Sequence, residues 1–172
     1  MSRIVITTSI EIAASPAETK KKYKLSFSSI AELTHTYKFL QFDQIPKYHP
    51  NGFIKSLSPA TPNAPLDVGN KMHVVVELGD FEAPILENSA TTFCWGGKGL
   101  LGTFNGDHAF HFTESKTTAG GTTFIQEEQF SGVLAFIIGD GTVGKMLGFR
   151  EKTREGFEGF NRDFKKWVES GE

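Results

Sequence analysis

The residues best placed to do chemistry lie in one stretch of the chain, residues 106–132. Its two arms alternate in polarity with period two, which predicts two half-buried antiparallel strands. One parity carries a mixed set of side chains: His108, Phe110, Phe112, Thr122, Phe124, Gln126, Glu128 and Phe130. Because a buried polar group is unfavourable unless it is hydrogen-bonded, this mixture predicts a sheet that faces a cavity and places a few polar groups inside it.

The register of this hairpin brings a histidine and a carboxylate together. With the turn centred near Thr118, three facing pairs are predicted: His108 with Glu128, Phe110 with Gln126, and Phe112 with Phe124. Directly opposed side chains lie roughly 4.5–5.5 Å apart at Cβ, which permits a charge-assisted hydrogen bond. Three interpretations stay open. His108 could be a general acid/base oriented by Glu128, the pair could clamp a ligand carbonyl or hydroxyl, or the pair could only fix the strand register.

Metal and nucleophile chemistry find no support in the remaining residues. His108 and His111 are three apart in a strand and therefore face opposite sides. His73 and Glu77 share a face, but the outward one, so no metal site is predicted. Cys94 lies in an apolar strand and is interpreted as a small buried hydrophobic residue.

A glycine motif near the C-terminus resembles a nucleotide-binding fingerprint. Residues 139–144 match G-x-G-x-x-G after the apolar run 133–138. However, one long helix uses the rest of the chain, so no second strand can complete a βαβ unit. The motif is interpreted as a flexible hinge or as a plain loop, and no cofactor is predicted.

Composition limits the classes of partner. The chain has 172 residues, 38% of them hydrophobic, which predicts a single domain over residues 1–172. A formal net charge of −2 gives no reason to expect nucleic acid. No apolar run is long enough for a membrane span, and the N-terminus lacks a signal-peptide core, so a cytoplasmic location is predicted.

Periodicity predicts strands first and a long helix last. Arg3–Ala13 reads as a strand, a helix begins at Pro16, a second helix covers about Ile30–Gln41, and a turn covers Ile45–Gly52. Further strands are predicted at about Phe53–Ser58, Lys71–Leu78, Phe81–Glu87 and Ala90–Gly96, ahead of the hairpin. From Met146 to Trp167 apolar residues recur every three or four positions, which predicts an amphipathic helix of about 25 residues.

Several short motifs in this order resemble the START/SRPBCC superfamily. They are Ile12-Ala13-Ala14-Ser15-Pro16-Ala17-Glu18, Phe42-Asp43-Gln44-Ile45-Pro46-Lys47-Tyr48-His49-Pro50, Gly69-Asn70-Lys71-Met72, Phe93-Cys94-Trp95-Gly96-Gly97, the hairpin itself, and Gly159-Phe160-Asn161-Arg162-Asp163-Phe164-Lys165. The resemblance implies an α+β helix-grip fold, with a curved antiparallel sheet of about six or seven strands wrapped on a long C-terminal helix and short helices after the first strand. The stretch Thr19–Tyr37 is longer than the superfamily pattern. It is interpreted as a helical insertion near the pocket entrance, with translated non-coding sequence as the alternative.

The resemblance also implies a cavity between sheet and C-terminal helix that binds a small hydrophobic molecule of lipid, polyketide or aromatic type. The predicted ligand-binding residues are Tyr48, Val74, Val76, Phe93, Trp95, His108, Phe110, Phe112, Phe124, Gln126, Glu128, Met146 and Phe149. The alternative is an enzyme of the polyketide cyclase or isomerase type, with His108 and Glu128 as its catalytic residues.

Overall fold

One antiparallel sheet dominates the computed structural model, which describes residues 3–21, 37–38, 40–77, 79–99, 104–132 and 148–170. Its seven strands are β1 (Ile4–Ile12), β4 (Ile54–Pro59), β5 (Lys71–Val76), β6 (Gly79–Asn88), β7 (Thr92–Gly99), β8 (Phe104–Glu114) and β9 (Thr122–Ser131). They are ordered β1-β9-β8-β7-β6-β5-β4, so the first strand lies at one edge of the sheet, next to the last strand. A separate pair is formed by β2 (Lys20–Lys21) and β3 (Tyr37–Lys38).

The alternation in the sequence explains which side of each strand is buried. On β9, Thr122, Phe124, Gln126 and Phe130 are buried, while the residues between them are partly exposed. The β5 strand repeats the pattern with Met72 and Val74. One face of the sheet is therefore apolar and must be covered by another element.

The long C-terminal helix α3 (Phe149–Glu169) covers that face. It begins after Gly148, whose φ of 60° lies in the left-handed region that glycine adopts at little cost. Its buried residues are Thr153, Phe157, Phe160, Asn161, Phe164 and Val168, which follow the predicted helical spacing. Asn161 Nδ2 donates to Thr8 Oγ1 on the edge strand β1 at 3.0 Å.

Short helical turns fill the gap between β1 and β4. The helix α1 (Pro16–Thr19) starts at Pro16 as predicted, and a 3₁₀ turn (Phe42–Gln44) leads into α2 (Ile45–Tyr48). The sequence assigned Ile45–Gly52 wholly to a turn, which is wrong for its first four residues. A proline in the first helical turn lacks only an N–H that would be unpaired there, so Pro46 is compatible with a helix.

The helix predicted at Ile30–Gln41 is wrong where it can be checked. Tyr37 and Lys38 pair with Lys21 and Lys20 as two short antiparallel strands, and Phe42 begins a 3₁₀ turn soon afterwards. The backbone of these two residues pairs with another strand, and this tertiary pairing outweighs the helical spacing of a few apolar side chains.

Several other predictions fall outside the described residues. These are the remainder of the Ile30–Gln41 helix, most of the Thr19–Tyr37 insertion, the apolar run 133–138, the glycine motif 139–144, and Met146. The insertion therefore stays a prediction. Among the described residues, the helices are all too short or too polar to cross a membrane.

The core divides into two clusters along α3. The larger one includes Phe93, Phe112, Phe124, Phe160 and Phe164. The smaller cluster is built from Ile6, Phe130 and Phe157, with Ile4, Phe53 and Phe149 packed around it. Because Phe149 and Phe157 belong to the first half of α3, the smaller cluster marks the helix end at which a cavity remains open.

A carboxylate at the end of β1 ties this strand to the β8–β9 turn. The hydroxyl of Ser115 donates to one oxygen of Glu11, and that of Thr123 donates to the other at 2.8 Å. These two hydrogen bonds, Ser115 first, lower the pKa of Glu11 below its ordinary value of 4.5. Ionised Glu11 is therefore the form that the folded chain prefers.

We expect the Glu11→Gln variant to be less thermostable than the parent at neutral pH. The folded-state pKa lies below the unfolded one, so this stabilisation is complete above the unfolded value and is lost as pH falls through the folded value. Melting curves from neutral pH to about pH 3 should show the two melting temperatures converging. Glu155→Gln, at an exposed position of α3, is the control and should follow the parent. A gap between Glu11→Gln and the parent that did not change with pH would contradict the assignment.

Candidate functional site

The hairpin places His108 at the centre of three neighbouring strands. On β9 its partner is Glu128, and on β7 its partner is Trp95. The predicted pairs of Phe110 with Gln126 and of Phe112 with Phe124 are also present, so the predicted register is confirmed. The backbone ladder alone brings these side chains together on the concave face.

Both ring nitrogens of His108 are engaged within the protein. Nδ1 lies 2.5 Å from Glu128 Oε2, and Gln126 Nε2 lies 2.9 Å from His108 Nε2. With this orientation of the amide, Gln126 donates to Nε2, and His108 in turn donates its Nδ1 proton to Glu128. His108 is 4% exposed, so it is held inside the protein with its hydrogen-bonding capacity used.

Aromatic rings surround the imidazole on several sides. The ring centroids of Trp95, Phe110 and Phe157 lie 4.3, 4.6 and 4.9 Å from that of His108. Phe110 is nearly parallel to the imidazole, while Trp95 meets it edge to face. These contacts fix the ring plane, and they fix the direction of its bond to Glu128.

A cavity of about 370 Å³ opens beside this pair, between the sheet and the first turns of α3. Its lining is mainly apolar and consists of Phe53, Val74, Val76, Phe81, Glu82, Ala83, Trp95, Gly96, Gly97, Gly106, His108, Glu128, Phe130, Phe149 and Thr153. Six of the predicted ligand-binding residues are among them: Val74, Val76, Trp95, His108, Glu128 and Phe149. This volume is within the range of small-molecule sites in proteins.

The other described residues of the predicted set lie outside the cavity lining. Phe93, Phe110, Phe112 and Phe124 are fully buried in the larger core cluster. Gln126 is buried behind His108. Tyr48 stacks on Trp167, at 4.8 Å between ring centroids, and burial raises the pKa of its hydroxyl well above 10.0. Strand parity identifies the inward face of the sheet, but it does not predict where along that face α3 packs against the sheet and where a cavity is left.

Two facing glycines leave room at the cavity wall, and neither was predicted from the sequence. Gly97 on β7 pairs with Gly106 on β8. A Cβ on Gly106 would lie 2.7 Å from Glu128 Oε1, so the carboxylate occupies the place of a side chain. A Cβ on Gly97 would meet only Phe81 Cε2, at 4.0 Å. The signal was present, because Gly106 has the same parity as His108.

The remaining lining residues that were not predicted from the sequence are of two kinds. Phe130 and Thr153 lay on faces predicted to be inward, whereas Phe53, Phe81, Glu82, Ala83 and Gly96 carried no signal beyond their place in or beside a strand. Glu82 is at the rim, where its carboxylate accepts a bond of 2.9 Å from Lys71 Nζ. The cavity wall therefore combines the five strands β5 to β9 with α3 and with Phe53, which directly precedes β4.

The negative charge of Glu128 affects the pKa values of neighbouring groups. Burial, and next the negative charge of Glu128, raises the pKa of Asp107, which Arg3 lowers in part. Burial also raises the pKa of Cys94 to about 12, with Asp107 and Glu87 adding to the effect. Cys94 is thus a protonated thiol at neutral pH, which is unsuited to nucleophilic catalysis.

Metal ligation is not favoured by the arrangement of side chains. Within the described ranges, no three His, Cys, Asp or Glu residues converge in a way that could hold a metal ion. His111 bonds to Thr92 Oγ1 at 3.1 Å, and His73 bonds to Asp80 at 2.5 Å. Both lie away from the cavity lining.

Comparisons by sequence find neither a matching family model nor a matching curated protein. Solved structures do match. A START superfamily protein from Mycobacterium smegmatis superposes with a TM-score of 0.61 at 13% identity, covering 98% of this chain and 99% of that one. Norcoclaurine synthase from Thalictrum flavum superposes with a TM-score of 0.58 at 11% identity, covering 97% and 87%.

A third match is to one part of a larger protein. The di-domain ARO/CYC StfQ from the steffimycin biosynthetic pathway gives a TM-score of 0.59 at 12% identity, covering 98% of this chain and 51% of that one. This chain thus spans about half the length of that protein. Identities this low establish the fold alone. On the evidence of sheet order, C-terminal helix and these superpositions, the chain has the helix-grip fold of the START/SRPBCC superfamily.

Proposed function

We propose that this chain binds a small hydrophobic molecule, of lipid, polyketide or aromatic type, in the cavity between the sheet and α3. The observation that carries the proposal is the cavity of about 370 Å³ with a largely apolar wall. Apolar ligand surface that leaves water for such a wall makes the free energy of binding more favourable. Burying about 250 Å² of ligand surface would contribute about 6 kcal/mol before the entropic cost of association.

A polar group in the wall supports the proposal, because it would orient a bound ligand. Glu128 is the more exposed member of its pair, at 14% against 5% for the His108 side chain. A ligand whose donor meets the Glu128 acceptor would be held in one orientation as well as removed from water.

The experiment is a thermal-shift screen with a panel of hydrophobic ligands, followed by calorimetry. Gly97→Leu tests the location, because its side chain would enter the cavity. Thr113→Leu is the matched control, since Thr113 is an exposed residue of β8 with the outward parity, opposite to that of His108. We expect a saturable rise in melting temperature, an affinity at least about tenfold weaker in Gly97→Leu, and parent-like binding in Thr113→Leu. A panel without any shift, or equal binding by all three proteins, would overturn the proposal.

The alternative function, proton transfer by His108 in a cyclase or isomerase, is weakened by the hydrogen bonds of the imidazole. Both nitrogens are already bonded, to Glu128 and Gln126. A general acid/base needs one nitrogen within reach of the substrate. His108→Gln separates the two functions, since a carrier should keep some ligand affinity, while an enzyme should lose turnover without losing binding.

A further inference from the structure

The charge on the cavity wall is one-sided. Among the described lining residues, the ionisable side chains are His108, Glu128 and Glu82, and there is no lysine or arginine. The carboxylate of Glu82 is half exposed at the rim and is bonded to Lys71. Glu128 is therefore the carboxylate that a buried ligand would meet.

The negative end of the His108–Glu128 pair is the end available to a ligand. His108 is the less exposed partner, and both of its nitrogens are already bonded. Oε2 of Glu128 takes the bond from His108, and no other hydrogen bond to this carboxylate occurs within the described part of the chain. Oε1 lies over the bare backbone of Gly106, at the cavity wall. Whichever way the proton is shared, an acceptor oxygen remains for a donor on the ligand.

Five aromatic residues complete the wall: Phe53, Phe81, Trp95, Phe130 and Phe149. Ring faces carry negative partial charge and attract cations, and Trp does so most strongly. The same rings bury an apolar or aromatic body. A ligand with a carboxylate would instead meet the like charge of Glu128, and the described lining has no lysine or arginine to offset it.

Resting on the ligand-binding function proposed above, we infer that the cavity selects a protonated amine on an aromatic or apolar body. The ammonium group donates to Glu128 Oε1, and the body packs against the aromatic wall. His108 is then a positioning residue, which holds the carboxylate toward the ligand and keeps it from turning to bulk water.

The test uses three probes with the same aromatic body and different end groups: naphthylethylamine, naphthylethanol and naphthylacetate. Calorimetry on the full chain at neutral pH should rank the amine first, at least about tenfold tighter than the alcohol, with the acid weakest. Glu128→Gln should abolish the advantage of the amine and keep the affinity for the alcohol within about threefold. Glu127→Gln is the matched control on the same strand, because Glu127 has the opposite, outward parity. This substitution should leave the ranking of the probes unchanged.

The outcomes separate the inference from the function on which it rests. Equal binding of the three probes, tightest binding of the acid, or an amine preference that survives Glu128→Gln would overturn the inference and leave the ligand-binding proposal standing. If none of the three probes bound and no member of the hydrophobic panel raised the melting temperature, both the inference and the ligand-binding proposal would be overturned. Should Glu128→Gln not fold, the ranking of the probes by the unmodified protein decides.

Discussion

Replacing Phe164 by alanine is expected to lower the free energy of unfolding by about 4 kcal/mol. Phe164 is fully buried on α3, in the larger core cluster. Its ring contacts Tyr48, Phe124, Phe160 and Trp167, with centroids between 4.9 and 6.1 Å away. Truncation removes the buried ring and leaves a cavity that these neighbours cannot fill without leaving their own contacts. Urea unfolding followed by circular dichroism measures the loss.

Phe81→Ala is the matched control for this substitution. Phe81 lies on β6 at the rim of the ligand cavity and is 45% exposed. Its truncation should cost less than about 1 kcal/mol, since nearly half of its surface stays in water in the folded chain and no enclosed cavity is left behind. Similar losses at the two positions would show that α3 does not depend on this ring cluster for its attachment to the sheet.

Replacing His108 by alanine is expected to cost about 3 kcal/mol, although a polar group is removed. The substitution leaves the Glu128 carboxylate and the Gln126 amide without their partner, in surroundings with little water. It also leaves a space among the rings that contact the imidazole. In a double-mutant cycle with Glu128→Gln, we expect a coupling energy of about 1–3 kcal/mol.

An exposed pair of the same type provides the comparison. His73 and Asp80 lie 2.5 Å apart, but their side chains are 41% and 63% exposed. We expect His73→Ala to cost less than about 0.5 kcal/mol, because water replaces the lost partner. If His108→Ala were equally mild, the buried pair would not organise this part of the sheet. If it were costly and ligand affinity stayed unchanged, the pair would serve the strand register alone.

The hairpin and the C-terminal helix could be predicted because each has one exposed and one buried face. Period two from Phe110 to Phe130 and a three- to four-residue period around Phe160 record that asymmetry directly. The facing of His108 and Glu128 then follows from the position of the turn, since a one-residue slip would turn every phenylalanine of the hairpin outward.

The extent of the cavity could not be predicted in the same way. Phe124 and Phe130 share one strand and one parity, yet Phe124 packs against Phe164 while Phe130 lines the cavity. Parity reports the side of the sheet, whereas the cavity depends on how closely α3 approaches at each point. The space also depends on the pairing of Gly97 with Gly106, which becomes apparent only when the strands are aligned. At Tyr37–Lys38 the element is too short for periodicity to identify.

The position of β1 at the edge beside β9 has a consequence for how the chain folds. β1 precedes the other described strands, yet Ala14, just beyond its end, accepts a hydrogen bond from Thr122, 108 residues later. Ala13 donates to Glu169, 156 residues later. Contacts this distant in sequence require large loops to close, which slows folding and exposes an unpaired apolar strand during synthesis. These contacts can therefore form only once residues 122–169 have been synthesised, and they join the two ends of the fold.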